Sequence, residues 1–158
     1  MGMTLQKLLR GAVLGGLFII PFIPLIVAYN LFFPFITGKN FAFRILVELV
    51  AGGWVGLALI SAEYRPRRSW LLAGFAAFVT IMLAADIFGT NPTKSIWSNF
   101  ERMEGWVLLA HLLGLFFAAG AVLRVEKKWR AWFLTSLAVS LIIAGRSEEH
   151  TSELQSHS

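Results

Sequence analysis

The sequence contains no cysteine, which excludes disulfides and thiolate metal sites alike. Charge is also scarce. Asp, Glu, Lys and Arg make up 15% of the chain, where a soluble domain carries roughly 25%. No repeat or low-complexity segment interrupts it. Instead, apolar residues account for 57% of the chain and mean hydropathy is +0.69. Long apolar runs alternate with short basic loops, the pattern of a polytopic helical membrane protein. The net charge of +5 does not indicate nucleic acid. Its basic residues sit in the short connections, where they orient spans in a bilayer. The expected fold class is all-α: a single-domain transmembrane helix bundle of about five spans, cut short.

The expected spans are residues 11–35, 43–62, 70–88, 105–123 and 131–145. A basic arm, 1–10, carries Lys7 and Arg10. The first run is too long for a signal-peptide core and lacks a small-residue cleavage site, so it reads as an uncleaved span. As a straight helix it would rise roughly 37 Å, more than the ~30 Å of hydrocarbon, and Pro21 and Pro24 are expected to kink it. An outer turn, 34–42, holds Lys39. Arg44 and Glu48, four residues apart, share a helix face as a neutralising ion pair or as a wall of a substrate cavity. Gly52 and Gly56 form a small-xxx-small packing face. Asp86 lies one turn from the end of the third span. Glu104 and His111, seven apart, share a face of the fourth, where a histidine either hydrogen-bonds inside the bundle, the commoner case, or serves as a catalytic candidate.

From Arg146 the composition changes to RSEEHTSELQSHS, polar and without apolar period. Residues 146–156 match, in order, the in-frame translation of a common sequencing-adapter oligonucleotide. The segment 146–158 is therefore read as a non-native tail, and His150 and His157 receive no metal reading. The last apolar run, 131–145, is shorter than the ~17–25 residues a span needs. Together these features predict a fragment of a longer chain.

Lysine and arginine decide the orientation. Nine lie in the N-terminal arm, the 63–68 loop and the 124–130 loop, and four (Lys39, Arg44, Lys94 and Arg102) lie on the opposite side. The positive-inside rule places the nine, and the N-terminus, in the cytoplasm. Trp70, Trp129 and Trp132 then fall at the inner interface and Trp97 and Trp106 at the outer. The segment 89–105, GTNPTKSIWSNFERMEG, is extracytoplasmic. Arg102 offers a planar fork of donors for phosphate oxygens, and Lys94 adds a point charge. Glu101 and Glu104 either hold Arg102 in place or accept hydroxyl protons from a sugar. The plainer reading is a solvated loop of mixed charge.

Three stretches carry a resemblance: FPFITGKNFAFRILVEL (33–49), ADIFGTNPTKSIWSNFERMEG (85–105) and LRVEKKWR (123–130). Together they resemble the N-terminal part of the O-antigen ligase/polymerase family of membrane glycosyltransferases, over residues 12–144. The most specific piece is the series Asp86, Gly89, Asn91, Pro92, Ser95, Trp97, Asn99, Glu101, Arg102, Glu104 and Gly105. It is a pattern of position, not a catalytic signature.

The resemblance implies an enzyme of cell-envelope and lipopolysaccharide biosynthesis in the bacterial cytoplasmic (inner) membrane. It would move a glycan from an undecaprenyl-diphosphate carrier to lipid A-core, another glycan or protein, at the outer face. No nucleotide sugar, metal or other cofactor is implied. In that family the large periplasmic loop comes later in the chain, so catalytic residues are expected downstream and none is assigned here. The fragment alone is expected to be inactive. The expected substrate-binding residues are Arg102 first, then Glu104, Glu101, Lys94, Lys39 and Arg44. A diphosphate leaving group needs charge stabilisation more than protonation, a task suited to arginine. Two other classes compete. A transporter would line a path with Pro21, Pro24, Glu48 and His111, against which the nearly all-apolar mid-membrane argues. A small structural membrane protein would end near residue 145.

Overall fold

A computed structural model describes the backbone of residues 2–27, 36–99 and 104–156, and the side chains of 4–27, 36–99 and 104–145. All regular structure among the described residues is helical: α1 (Gly2–Ile19), a 3-10 segment (Ile20–Leu25), α2 (Thr37–Ile60), a 3-10 turn (Ala62–Tyr64), α3 (Trp70–Ile87), α4 (Pro92–Trp97), α5 (Trp106–Val122) and α6 (Glu126–Ser156). Three stretches are long and apolar enough to cross a membrane: Thr4–Leu25, Thr37–Ile60 and Trp70–Ile87. Trp106–Val122 is apolar but shorter, rising about 26 Å against the ~30 Å of a hydrocarbon core.

Two helices begin and end within a residue of the sequence expectation, because each has a clear local start. α3 follows Ser69, whose Oγ accepts the Leu72 N–H at 3.4 Å, and α5 follows Gly105. The others differ. α1 starts at Gly2, so the expected N-terminal arm is helix; Leu, Gln, Lys and Arg are good helix formers, and no breaker separates them from the apolar run. The first run leaves the α-helix well before its expected end, and the expected part 28–35 lies outside the described residues. It tightens to 3-10 at Ile20 and becomes extended at Ile26 (φ −73°, ψ 126°), because Pro21 and Pro24 supply no N–H to the helical ladder. α2 starts at Thr37, which makes most of the expected outer turn helical and puts Lys39 on the first turn of α2. α6 starts at Glu126 and runs to Ser156, through the boundary expected at residue 146. Its polar end holds three glutamates with one Arg, one Leu and one Gln, residues whose helix propensity needs no apolar period.

The packing has a simple register. α1 and α2 are antiparallel: a Cβ on Gly16 would collide with Val50, one on Gly53 would lie 2.9 Å from Val13, and one on Gly56 3.6 Å from Leu9. Close approach of two backbones over small residues gives dispersion contact where burial from water gives none. The packing face expected from Gly52 and Gly56 is corrected here. Gly56 faces α1, but Gly52 meets open space and Gly53 takes its place.

α2 and α5 run parallel. Glu48 meets His111, Ala51 meets Gly114, and the rings of Trp54 and Phe117 stack at 5.6 Å, each pair separated by the same 63 residues. α3 is antiparallel to α5, with Phe75 edge-on to Phe116 at 5.8 Å and Trp106 reaching Val79. The buried core joins Val13 and Leu17 of α1, Val50 and Leu57 of α2, Tyr64, and the C-terminal turns of α5 from Ala118 to Leu123. α3 exposes large apolar residues, among them Trp70, Leu71, Phe78 and Ile81. That surface suits lipid or another helix better than water.

Candidate functional site

This register gives the bundle two distinct ends. At one, Arg124 closes the connections together: Nε donates to the Ala121 carbonyl at 2.7 Å and a terminal nitrogen to the Arg65 carbonyl at 3.2 Å, while the guanidinium lies 5.9 Å from the Tyr64 ring centroid. Arg65 Nε donates to the Ala58 carbonyl at 3.3 Å, and Trp54 Nε1 to the Tyr64 carbonyl at 3.0 Å. The α1 start, with Lys7 and Arg10, lies at this end too, since Leu9 sits against Gly56. The first turns of α2, residues 88–99 and 104–105, and the start of α5 occupy the other end.

Residues 88–99 and 104–105 are held by several local constraints. Gly89 N–H donates to the Asp86 carbonyl at 3.3 Å. Asn91 caps α4, its Oδ1 accepting the Lys94 N–H at 3.2 Å, and Pro92 opens the helix where a missing N–H is harmless. α4 stops at Ser98, which has φ 60° and ψ −151°, a conformation nearly reserved for glycine. Gly105 lies so close to the Ser95 and Ile96 carbonyls that a Cβ there would strike backbone. Trp106 Nε1 then donates to the Val79 carbonyl at 2.8 Å, fixing the start of α5 against the middle of α3. The Asn91, Pro92 and Gly105 positions of the sequence pattern thus have structural causes.

Of the residues expected to bind substrate, Glu101 and Arg102 lie outside the described residues. Glu104 is exposed, as is Lys94 on α4. Lys39 is half-buried on the first turn of α2, and Arg44, two turns further in, is 8% exposed. Glu104 precedes α5, so it does not share a helical face with His111 as the seven-residue spacing implied. Histidine 111 takes a different partner, Glu48 on α2. Its Nε2 lies 3.2 Å from Glu48 Oε1 and its Nδ1 2.7 Å from the Val107 carbonyl.

Glu48 also interacts electrostatically with Arg44 on its own helix, as its i+4 position requires. Glu48 thus has Arg44 four residues before it on its own helix and the His111 imidazole on the facing one. Both His111 nitrogens face acceptor oxygens. Spacing along the chain could not reveal this pair. The available signal was two isolated polar residues at matching depth in separate apolar runs. Among the described residues no group of three or more His, Asp or Glu could hold a metal ion.

Comparison of the chain with family models, with curated proteins and with solved structures returned no match.

Proposed function

We propose that this chain supplies membrane spans of a lipid-linked glycan transferase of the O-antigen ligase/polymerase kind, acting at the outer face of the bacterial cytoplasmic membrane with its N-terminus inside. The observation that carries the reading is the fixed geometry of residues 88–99 and 104–106. A non-glycine residue at φ 60° costs about 1–3 kcal/mol, and such strain is retained mostly where function requires a set geometry. A loose solvated loop has no use for it. The described parts of two of the stretches that carry the family resemblance, 36–49 and 85–99 with 104–105, also begin or lie at the end of the bundle opposite the arginine-rich connections, to which the third stretch, 123–130, belongs.

In this reading Arg102 receives the diphosphate of an undecaprenyl-linked donor, with Lys94 and Lys39 adding positive charge near the mouth. Glu104 orients Arg102 or a sugar hydroxyl, and Arg44 supports the same end from within the bundle. The arginine's forked donors stabilise charge developing on the departing diphosphate. The test is complementation with the intact gene carrying Arg102→Ala or Arg102→Lys. Loss of glycan transfer in both, with normal membrane insertion and accumulated carrier-linked glycan, is the expected result. Normal transfer by Arg102→Ala contradicts it.

The Glu48–His111 contact gives a second reading, a transporter fragment with a proton-handling pair, one specific point in its favour. The two readings separate on Glu48→Gln. It leaves glycan transfer largely intact if the pair is structural, and it abolishes substrate flux if the pair carries protons.

A further inference from the structure

At the arginine-rich end, the 66–69 connection, the first turns of α3 and the facing side of α5 enclose an open cleft of about 640 Å³ lined by Arg67, Arg68, Trp70, Ala73, Ala76 and Phe117. A narrower branch of about 210 Å³ continues it toward Gly120 and Ala121. The cleft exists because α3 turns small side chains, Ala73 and Ala76, toward the flat ring of Phe117. The resulting open channel runs from a polar mouth along the apolar faces of α3 and α5. Its size falls within the ~300–1,000 Å³ of small-molecule sites.

The arginines at this end divide into two kinds. Arg65 and Arg124 are engaged with backbone carbonyls of the bundle. Arg67 and Arg68 are exposed at the mouth, and among the described residues no carboxylate pairs with either. Trp70, 95% exposed, stands beside them as a wall shared with a second cleft on α3. Two available guanidiniums, an amphipathic ring and a hydrocarbon-lined channel match the order of groups along one phospholipid: phosphate, glycerol ester, acyl chain. Polybasic sites next to spans favour anionic lipid, and tryptophan settles at the headgroup level.

We propose that this cleft is a binding site for an anionic phospholipid, with its headgroup phosphate on Arg67 and Arg68 and one acyl chain lying along Ala73, Ala76 and Phe117. The proposal depends on the chain residing in a bilayer and is independent of the glycan reading, since it concerns the opposite end.

The test reconstitutes the chain into phosphatidylcholine vesicles containing a minor fraction of spin-labelled phosphatidylglycerol or spin-labelled phosphatidylcholine, and measures the immobilised lipid component of each. The expected result is a preference for phosphatidylglycerol. Arg67→Gln/Arg68→Gln, both on an exposed connection, should reduce that preference by roughly fivefold per guanidinium. Ala76→Phe, which fills the channel, should reduce immobilisation of phosphatidylglycerol while helix content stays unchanged. Soluble glycerol phosphate in excess should leave the signal intact, because it lacks the chain. Equal immobilisation of the two lipids, insensitivity to the double glutamine variant, displacement by glycerol phosphate, or a cross-linked dimer that masks the cleft from both lipids would each overturn the assignment.

Discussion

The indole N–H of Trp132 on α6 donates to the Leu17 carbonyl of α1 at 2.9 Å. In an uninterrupted α-helix that carbonyl would accept from residue 21, which is Pro21 and has no N–H. A proline break within an apolar span is thus satisfied by a side chain 115 residues away in sequence, in keeping with the rule that backbone polar groups at membrane depth must be paired inside the protein.

Trp132→Phe keeps the aromatic packing with Trp129 and Phe133 and removes the donor. It is expected to destabilise the chain in detergent by about 1–3 kcal/mol, the cost of an orphaned buried acceptor. Pro21→Ala restores a local donor, so Trp132→Phe should cost less in that background. A double-mutant cycle on unfolding free energies measures the difference. A cycle with zero coupling would break the link between the two residues.

Adjacent glycines of α2 should respond with opposite signs. Gly53→Ala brings a methyl to 2.9 Å from Val13, which is itself buried, and overpacking of this sort costs about 1–3 kcal/mol. Gly52→Ala meets open space and gains helix propensity, up to about 1 kcal/mol. Denaturation midpoints of the two variants in one detergent decide the matter.

Ser98→Gly should stabilise the outer segment and Ser98→Val should destabilise it, each by about 1–3 kcal/mol, as expected for a position at φ 60° and ψ −151°. Proteolytic nicking between residues 88 and 105 reads the effect locally, with slower cleavage for the glycine variant.

The Glu48–His111 contact should couple the two residues energetically. Glu48 lies at the middle of α2, a stretch long and apolar enough to cross a membrane, where a carboxylate is costly unless paired. His111→Ala should lower the denaturation midpoint, and should do so less in a Glu48→Gln background.

Apolar run length and turn chemistry made α3 and α5 legible, since Ser69, Asn91, Pro92 and Gly105 mark their borders locally. The extent of α1 was not legible. Its charged residues Lys7 and Arg10 looked like a loop, yet they have high helix propensity, and the effect of Pro21 depended on whether a distant donor existed. The Gly53 packing face was missed because three glycines in five positions allow two registers, and contact with α1 selects between them. The charged outer residues were visible as a cluster in sequence. The parallel register that brings Glu48 to His111 was not, because it arises from two helices that are not neighbours in the chain.

The account rests on the end of the bundle that carries α4 facing away from the cytoplasm. Because the chain has no native cysteine, single Thr93→Cys and Glu63→Cys variants, both at exposed positions, give an unambiguous readout. On intact spheroplasts, a membrane-impermeant thiol reagent should label the Thr93→Cys variant directly and the Glu63→Cys variant only after lysis. Labelling in the reverse order would contradict the orientation, and with it the role proposed for Arg102.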